Sequence, residues 1–317
     1  MSTIRVGLIG GTGLAQALVA QTAGTPHEVT TPFGRPSDTI VETEWEGLPL
    51  LFLSRHGPGH RLNPSQVPFR ANIYALKQLG CTHIIASGAV GSLREEIRPR
   101  DLVIPDQIID RTSRRPSTFY ENVAVHVEMA EPFCPVLRQI LVEAGRQTAA
   151  AMASAPAESQ AADGRFTVHE RGCYVCMEGP AFSTRAESLM HRLWGGDLIG
   201  MSAMPEAKLA REAEISYALV ALVTDYDCWR AQRPGGKDAA PADKSALLKE
   251  ILAHLEVASA NAIALMRRAV ALLAARRNEL PPSPAHSALD LAIWSDRSAI
   301  AAEEIQRLAP LWARRFT

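Results

Sequence analysis

The sequence carries no surplus of charge of either sign. Lys and Arg number 33 and Asp and Glu 34, for a net charge of −1, so neither nucleic acid nor an anionic membrane is expected as the main partner. Cysteine is sparse. The five thiols, Cys81, Cys134, Cys173, Cys176 and Cys228, are odd in number and irregular in spacing, which does not make a disulfide framework. Cys173 and Cys176 form a C-x-x-C, yet no second pair follows to complete a zinc site. In the strand-like run GCYVCMEG, positions three apart face opposite sides of a sheet, so both read as buried structural thiols. No apolar stretch approaches the ~20 residues that span a bilayer. The opening MSTIRVGLIGGTG has one short apolar run that ends in a glycine loop; no signal peptide is expected, and the cytoplasm is the expected compartment. There is no long-period repeat.

A chain of 317 residues, 47% of them hydrophobic, has room for one large α/β domain or two small ones with a sizeable core. Residues 4–9 and 48–53 are short apolar runs that read as buried strands, the first feeding GGTG and the second ending at Ser54, Arg55 and His56. Residues 71–79 have helical spacing and stop at Gly80. Residues 83–86 read as a strand that opens into a Gly-rich turn, SGAVGS, and residues 102–109 are a further apolar segment. Residues 148–165, rich in Ala, Ser, Gln and Gly, read as a mobile insertion. A helix is expected over 184–194, a strand over 197–201, a helix from Pro205 to Ala213, a strand over 217–223 ending in TDYD, and a long helix over 243–276. This alternation is that of an α/β fold, in which functional residues collect where strands end. Residues 278–317 read as a C-terminal helical extension on a 1–277 domain.

Four strand ends carry unusual residues. Gly10, Gly11, Thr12 and Gly13 offer backbone N–H groups and a hydroxyl to an anion, or simply a tight turn. The motif lacks the third small residue of a dinucleotide fingerprint, because Gln16 stands there, and it lacks the Walker lysine. That disfavours a nucleotide-cofactor dehydrogenase. Arg55 and His56 can bind phosphate through a bidentate fork and a third donor, or can be a solvated surface pair; the apolar run leading into them favours the first. SGAVGS is the third strand end. At the fourth, Asp225 and Asp227 are two apart in an extended segment and should face one side. Two carboxylates at a buried strand end are expected to titrate apart, one raised, so that one donates a proton while the other accepts a hydrogen bond; a surface turn is the alternative. Phosphate donors plus a carboxylate pair suit phosphorolysis or another anion-assisted substitution.

Longer strings extend the pattern. GLIGGTGL, RHGPGH, QVPFRANIYALKQLGCTHIIASGAVGSL, RDLVIPDQIIDRT, MAEPFCP, EGPAFSTRAE, GMSAMPEAKLAREA and VTDYDCW occur in this order. With them the chain, over roughly residues 4–270, resembles the trimeric purine nucleoside phosphorylase and methylthioadenosine phosphorylase family. The resemblance implies a single-domain α/β fold with a mixed central β-sheet flanked by helices, and a homotrimer. It implies that Thr12, Arg55, His56, Ala89 and Ser202 bind phosphate and that Met201 packs under the ribose. Phe182, followed by Ser183, packs on the purine, Asp225 and Asp227 read it, and His126 reaches the 5′ end of a neighbour's nucleoside. For Phe182 and Met201 ordinary core packing is the alternative. Inorganic phosphate is then a co-substrate, and neither a metal nor an organic cofactor is expected.

The family's 6-oxopurine branch has Asn where Asp225 stands and Glu after the Phe; Asp225 and Ser183 here favour adenine. Phosphorolysis of 5′-methylthioadenosine is thus the leading expectation, a broader adenosine or purine nucleoside phosphorylase the second, and a nucleoside-binding protein without catalysis a third of another class. Two features depart from the methylthioadenosine branch. Gly200 stands where that branch has Asn, and residues 233–242, RPGGKDAAPA, do not match its apolar 5′ pocket, for which Leu247 and Leu248 are candidates.

Overall fold

The short apolar runs become strands of one sheet. The computed structural model describes residues 4–11, 14, 24–154, 165–230 and 244–316. Along the chain these form β1 (Val6–Gly10), β2 (Thr25–His27), β3 (Ile40–Trp45), β4 (Leu48–Ser54), α1 (Phe69–Gln78), β5 (His83–Ser92), β6 (Leu102–Val103), β7 (Gln107–Arg111) and α2 (Pro135–Ala153). Then follow β8 (Val168–His169), β9 (Cys173–Met177), α3 (Arg185–Leu193), β10 (Leu198–Gly200), α4 (Ala203–Glu212), β11 (Ser216–Asp225), α5 (Lys244–Ala275), α6 (Ala302–Arg307) and α7 (Ala309–Trp312). The expected α/β class and mixed sheet are what is found. β5 is the hub: it runs parallel to β1 and β11 and pairs antiparallel with β10 through Gly91 and Ser92.

β11 shows why its sequence is apolar at nearly every position. Tyr217, Leu219, Ala221 and Val223 enter one core, while Ala218, Val220 and Leu222 enter the other, the period-two alternation of a strand covered on both faces. α1 and α4 cover the first face with Ile73, Leu76, Ala207 and Ala210. α2 and α5 cover the second with Leu137, Leu141, Leu265 and Leu273. Each such Leu contributes roughly 1.5–3 kcal/mol when removed from water.

Several expectations are corrected here. SGAVGS is no turn: it continues β5, because β11 offers a parallel partner as far as Val223 opposite Val90 and Asp225 opposite Gly91. Residues 148–153 of the expected insertion are the last turns of α2, where alanine is the best helix former; residues 155–164 lie outside the described part. α5 is long and apolar enough, by length and composition, to cross a membrane, contrary to the estimate from uninterrupted runs. Its Leu255, Ala258, Ala262, Leu265 and Met266 are instead buried against the sheet. All five cysteines are free thiols; Cys176 is buried and Cys173 partly so.

Residues beyond 277 follow α5 in chain order and fold back onto the sheet's flank. Ile293 bridges Val125, and Arg314 and Arg315 both pair with the buried Glu214. Trp312 is fully buried between Tyr120 and Phe316, with ring centroids 4.9 and 5.0 Å away. Trp312→Ala should therefore cost about 3–5 kcal/mol of stability, the range for emptying a buried aromatic site. Urea unfolding followed by far-UV circular dichroism measures it; a change below ~1 kcal/mol would mean the extension is only loosely attached.

Candidate active site

Three strand ends and one helix start meet at the carboxyl edge of the sheet. Arg55 follows β4, and its N–H donates to Gly10 O at the end of β1 (2.9 Å). The Gly11 N–H donates to Ser87 Oγ on β5 (3.2 Å). Ser202 immediately precedes α4, and its Oγ lies so close to β5 that a methyl on Gly88 would stand 3.2 Å from it. Arg55, His56, Ala89 and Ser202 are thus brought to one edge; Thr12 lies outside the described residues.

The arginine is not the open fork read from the sequence. Its side chain is fully buried, and Nε and Nη2 each donate to a carboxylate oxygen of Glu206 at 2.9 Å, while Nη1 donates to Ser87 O at 2.7 Å. Burial opposes its charge, but the Glu206 carboxylate outweighs that and raises its pKa. His56 also differs from the expected third donor. Its Nδ1 lies 2.8 Å from Leu62 O, which can only accept, so Nδ1 carries the hydrogen. Burial, then the neighbouring Arg55 cation, pull its pKa down to about 4. The ring is neutral at pH 7, stacks on His60 at 4.3 Å, and has Nε2 as an acceptor.

Gly200 has a steric reason. A methyl there would stand 2.1 Å from Tyr174 Oη, which accepts the Ser202 N–H at 3.2 Å. The tyrosine fills the space of a larger side chain at 200 and fixes the start of α4. Burial pushes the phenol pKa well above its ordinary value, so Oη stays protonated. Met201 follows, its sulfur against the turn at Gly179, and its carbonyl accepts from the buried Arg115 at 2.8 Å. Arg115 also donates to the carbonyls of Glu178 and Met204, both at 2.6 Å, joining the EGP loop to this segment.

At the far end of the edge lies the carboxylate pair. Asp225 ends β11; Oδ2 accepts from Thr224 Oγ1 at 2.7 Å and Oδ1 from the Asp227 N–H at 2.8 Å. Burial raises its pKa despite these two donors, and the Asp227 charge adds to the rise. Asp227 is not in extended backbone as expected: its φ is +41°, and the segment turns over Asp225. The two carboxylates still converge, because a methyl on Gly91 would lie 3.2 Å from Asp227 Cβ and 3.3 Å from Asp225 Oδ1. Asp227 Oδ2 is buried and, among the described residues, has no hydrogen-bond donor.

Phe182 is 86% exposed, so it is not core packing, and the Ser183 hydroxyl lies 3.7 Å from Met177 sulfur. His126 is not among the strand ends. Its N–H donates to Ala292 O at 2.9 Å and its ring packs at a tilt against Trp294, centroids 4.5 Å apart, in the C-terminal extension. Leu247 and Leu248 are exposed on α5, and residues 231–243 lie outside the described part. Sequence reasoning missed Glu206, Tyr174 and Arg115. The only signal was a charged or phenolic residue inside apolar context, which does not distinguish an outward face from a buried partner.

The sequence model of the phosphorylase superfamily matches residues 5–271. The S-methyl-5′-thioadenosine phosphorylase of Chloroflexus aurantiacus is 46% identical over 318 residues, covering 99% of this chain and 99% of that protein. Among solved structures, a methylthioadenosine phosphorylase from an antarctic soil metagenomic library superposes with a TM-score of 0.82 at 45% identity, covering 98% of this chain and 99% of that one. An adenosine/methylthioadenosine phosphorylase mutant from Schistosoma mansoni, in complex with methylthioadenosine, gives 0.73 at 38% identity, covering 86% and 92%.

Two tests follow from the geometry. Gly200→Ala should cost about 1–3 kcal/mol by overpacking against Tyr174. Adding Tyr174→Leu should recover part of that loss, a non-additive pair in a double-mutant unfolding cycle; strict additivity would mean the two do not touch. His56 has its folded pKa lowered from 6.5 to about 4. Folding therefore favours the neutral ring, a contribution complete above pH 6.5 and lost as pH falls toward 4, worth roughly 3 kcal/mol at most. Urea unfolding at pH 7 and 4.5 should show His56→Gln losing less stability on acidification than the parent.

Proposed function

The chain belongs to the phosphorylase superfamily, and from that premise we propose that it catalyses phosphorolysis of 5′-methylthioadenosine. A phosphate oxygen forms a bond to C1′ as the C1′–N9 bond breaks, giving adenine and 5-methylthioribose 1-phosphate. The observation that carries this reading is the carboxylate pair. Asp225 has a raised pKa, and Asp227 has a buried acceptor oxygen that no donor among the described residues reaches. A protonated Asp225 can donate to N7 while Asp227 accepts from the N6 amino group. A 6-oxopurine would set its O6 acceptor against the Asp227 acceptor, an unmatched contact in a buried site.

The chemistry divides between the two ends of the site. At one end Ser202, the Gly11 turn, Ala89 on β5 and the Arg55 surroundings hold phosphate, and the neutral His56 takes a hydrogen bond from a protonated phosphate oxygen at Nε2. As the glycosidic bond stretches, the ribose approaches an oxocarbenium ion, stabilised by the phosphate anion. At the other end the purine gains negative charge, and Asp225 passes its proton to N7, so that neutral adenine leaves and solvent reprotonates the carboxylate. Such general-acid help is worth about 10²–10⁴-fold. Phe182 covers the purine and Met201 the ribose. We place the enzyme in the cytoplasm as a homotrimer without metal or organic cofactor, with His126 lent to the neighbour's 5′ end; Leu247 and Leu248 are candidates for the methylthio group. The broader adenosine phosphorylase is the second reading, since the Schistosoma mansoni relative is named for both substrates.

A panel of methylthioadenosine, adenosine and inosine, scored by free base released with and without phosphate, tests the reading. Base release only with phosphate, and fastest from methylthioadenosine, is expected; nucleoside binding without release would mean a binding protein. Asp225→Asn should lower kcat/KM on methylthioadenosine by about 100-fold or more. Its activity on inosine should fall less or rise, because the amide can donate to O6 or N7 but cannot transfer the proton. An unchanged ratio of the two substrates would remove Asp225 from base selection.

A further inference from the structure

Behind the proposed phosphate end lies a buried polar chain whose inner members, Tyr217 and Glu206, the mechanism leaves unused. Tyr217, on β11 and 2% exposed, donates its hydroxyl to Glu206 Oε1 at 2.8 Å. Glu206, on α4 and fully buried, uses both carboxylate oxygens on the Arg55 fork at 2.9 Å. Arg55 passes on to Ser87 O at 2.7 Å, and Ser87 Oγ takes the Gly11 N–H at 3.2 Å. Arg55 Nη1 sits so close to Gly11 that a methyl there would stand 2.9 Å from it. β11, α4, β4, β5 and Gly11 after β1 are thereby linked by three side chains and one hydroxyl.

We infer that Glu206, held by Tyr217, is a positioning residue for the phosphate co-substrate. The inference rests on the proposed phosphorolysis for its kinetic readout. Glu206 touches no reacting atom. It acts through Arg55, in two ways. The bidentate contact fixes the plane of the guanidinium, and with it the Ser87 carbonyl and the Gly11 backbone beside the proposed phosphate site. The negative charge balances the buried cation beside the phosphate, so the arginine stays in place when phosphate leaves. Tyr217 saturates the second lone pair of Oε1 and keeps the carboxylate from rotating off the fork.

Glu206→Gln keeps the shape but sets an amide N–H against one arginine N–H, so the fork loses one of its two bonds. We expect KM for phosphate to rise about tenfold with KM for the nucleoside within twofold of the parent, and Glu206→Asp to recover part of the loss. Tyr217→Phe, which keeps the ring and the ion pair, should raise the phosphate KM about threefold in the same selective way, and it decides the matter if Glu206→Gln does not fold. Glu212→Gln serves as the control: Glu212 is a buried acid on the same helix that accepts the Phe119 N–H at 2.8 Å, and its loss should lower the melting temperature without moving the phosphate KM. A second readout needs no turnover, namely the rise in melting temperature caused by inorganic phosphate, which should shrink in Glu206→Gln and Tyr217→Phe but not in Glu212→Gln. If the parent releases no base from any nucleoside while phosphate still stabilises it and that stabilisation shrinks in Glu206→Gln and Tyr217→Phe alone, the phosphorolysis reading fails and the role in positioning bound phosphate stands. If folded Glu206→Gln, or Tyr217→Phe in its place, changes neither phosphate KM nor phosphate stabilisation, or raises both KM values equally, the positioning role is wrong.

Discussion

The Arg55–Glu206 pair is the contact on which the edge of this sheet depends. A buried ion pair is not cheap: each ion gives up its hydration, and only good geometry with further hydrogen bonds compensates. Here the geometry is bidentate, and Ser87 and Tyr217 add one further hydrogen bond each, to the guanidinium and to the carboxylate. Removing either charge would leave the other buried and unpaired, typically a loss of about 3–5 kcal/mol. The pair joins the loop after β4 to α4, two elements 151 residues apart in the chain. It thereby determines where Gly11, Ser87 and Ser202 stand relative to one another.

Close backbone approach is the second constraint. β5 passes beneath both ends of the site, and its glycines lie where side chains from β11 and α4 come nearest: Ser202 over Gly88, Asp225 and Asp227 over Gly91. Glycine weakens a strand interior, but β11 pairs with β5 along both glycines, and β10 pairs with it again at Gly91. Tyr174 and Gly200 repeat the logic on the next strand pair, where the bulk removed at one position is filled from the other. Ala89 and Asp225 lie in paired strands, and Arg55, His56, Met201, Ser202 and Asp227 stand within two residues of a strand end, which suits groups that must hold their geometry during bond cleavage.

The two ends of the edge also differ electrically. At the proposed phosphate end a cation is present but balanced by Glu206, and burial keeps His56 neutral. At the proposed purine end burial raises the Asp225 pKa, while among the described residues no donor reaches Asp227 Oδ2. In the proposed reaction, anion binding and proton donation are thus separated along one sheet edge.

Much of this was legible in the residues alone. Apolar runs and glycine punctuation located β1, β4, β11 and α5 closely, because burial on both faces leaves an uninterrupted apolar signature. Strand ends rich in Arg, His, Ser and Asp marked the edge, and the motif strings marked the family. Local pattern failed where a distant partner decides. SGAVGS has the composition of a turn and becomes a strand only because β11 runs beside it. Asp227 was placed by alternation, yet a left-handed residue turns it over Asp225. Arg55 carries the same letters whether its fork is open or occupied, and only the fold brings Glu206 to it. Sequence by itself determined the class, the family strings and the kinds of chemical group at the edge, since those follow from local periodicity and residue type. Tertiary structure decided which groups are paired, neutral or left with an unsatisfied oxygen, because hydrogen bonds and desolvation depend on neighbours far away in the chain.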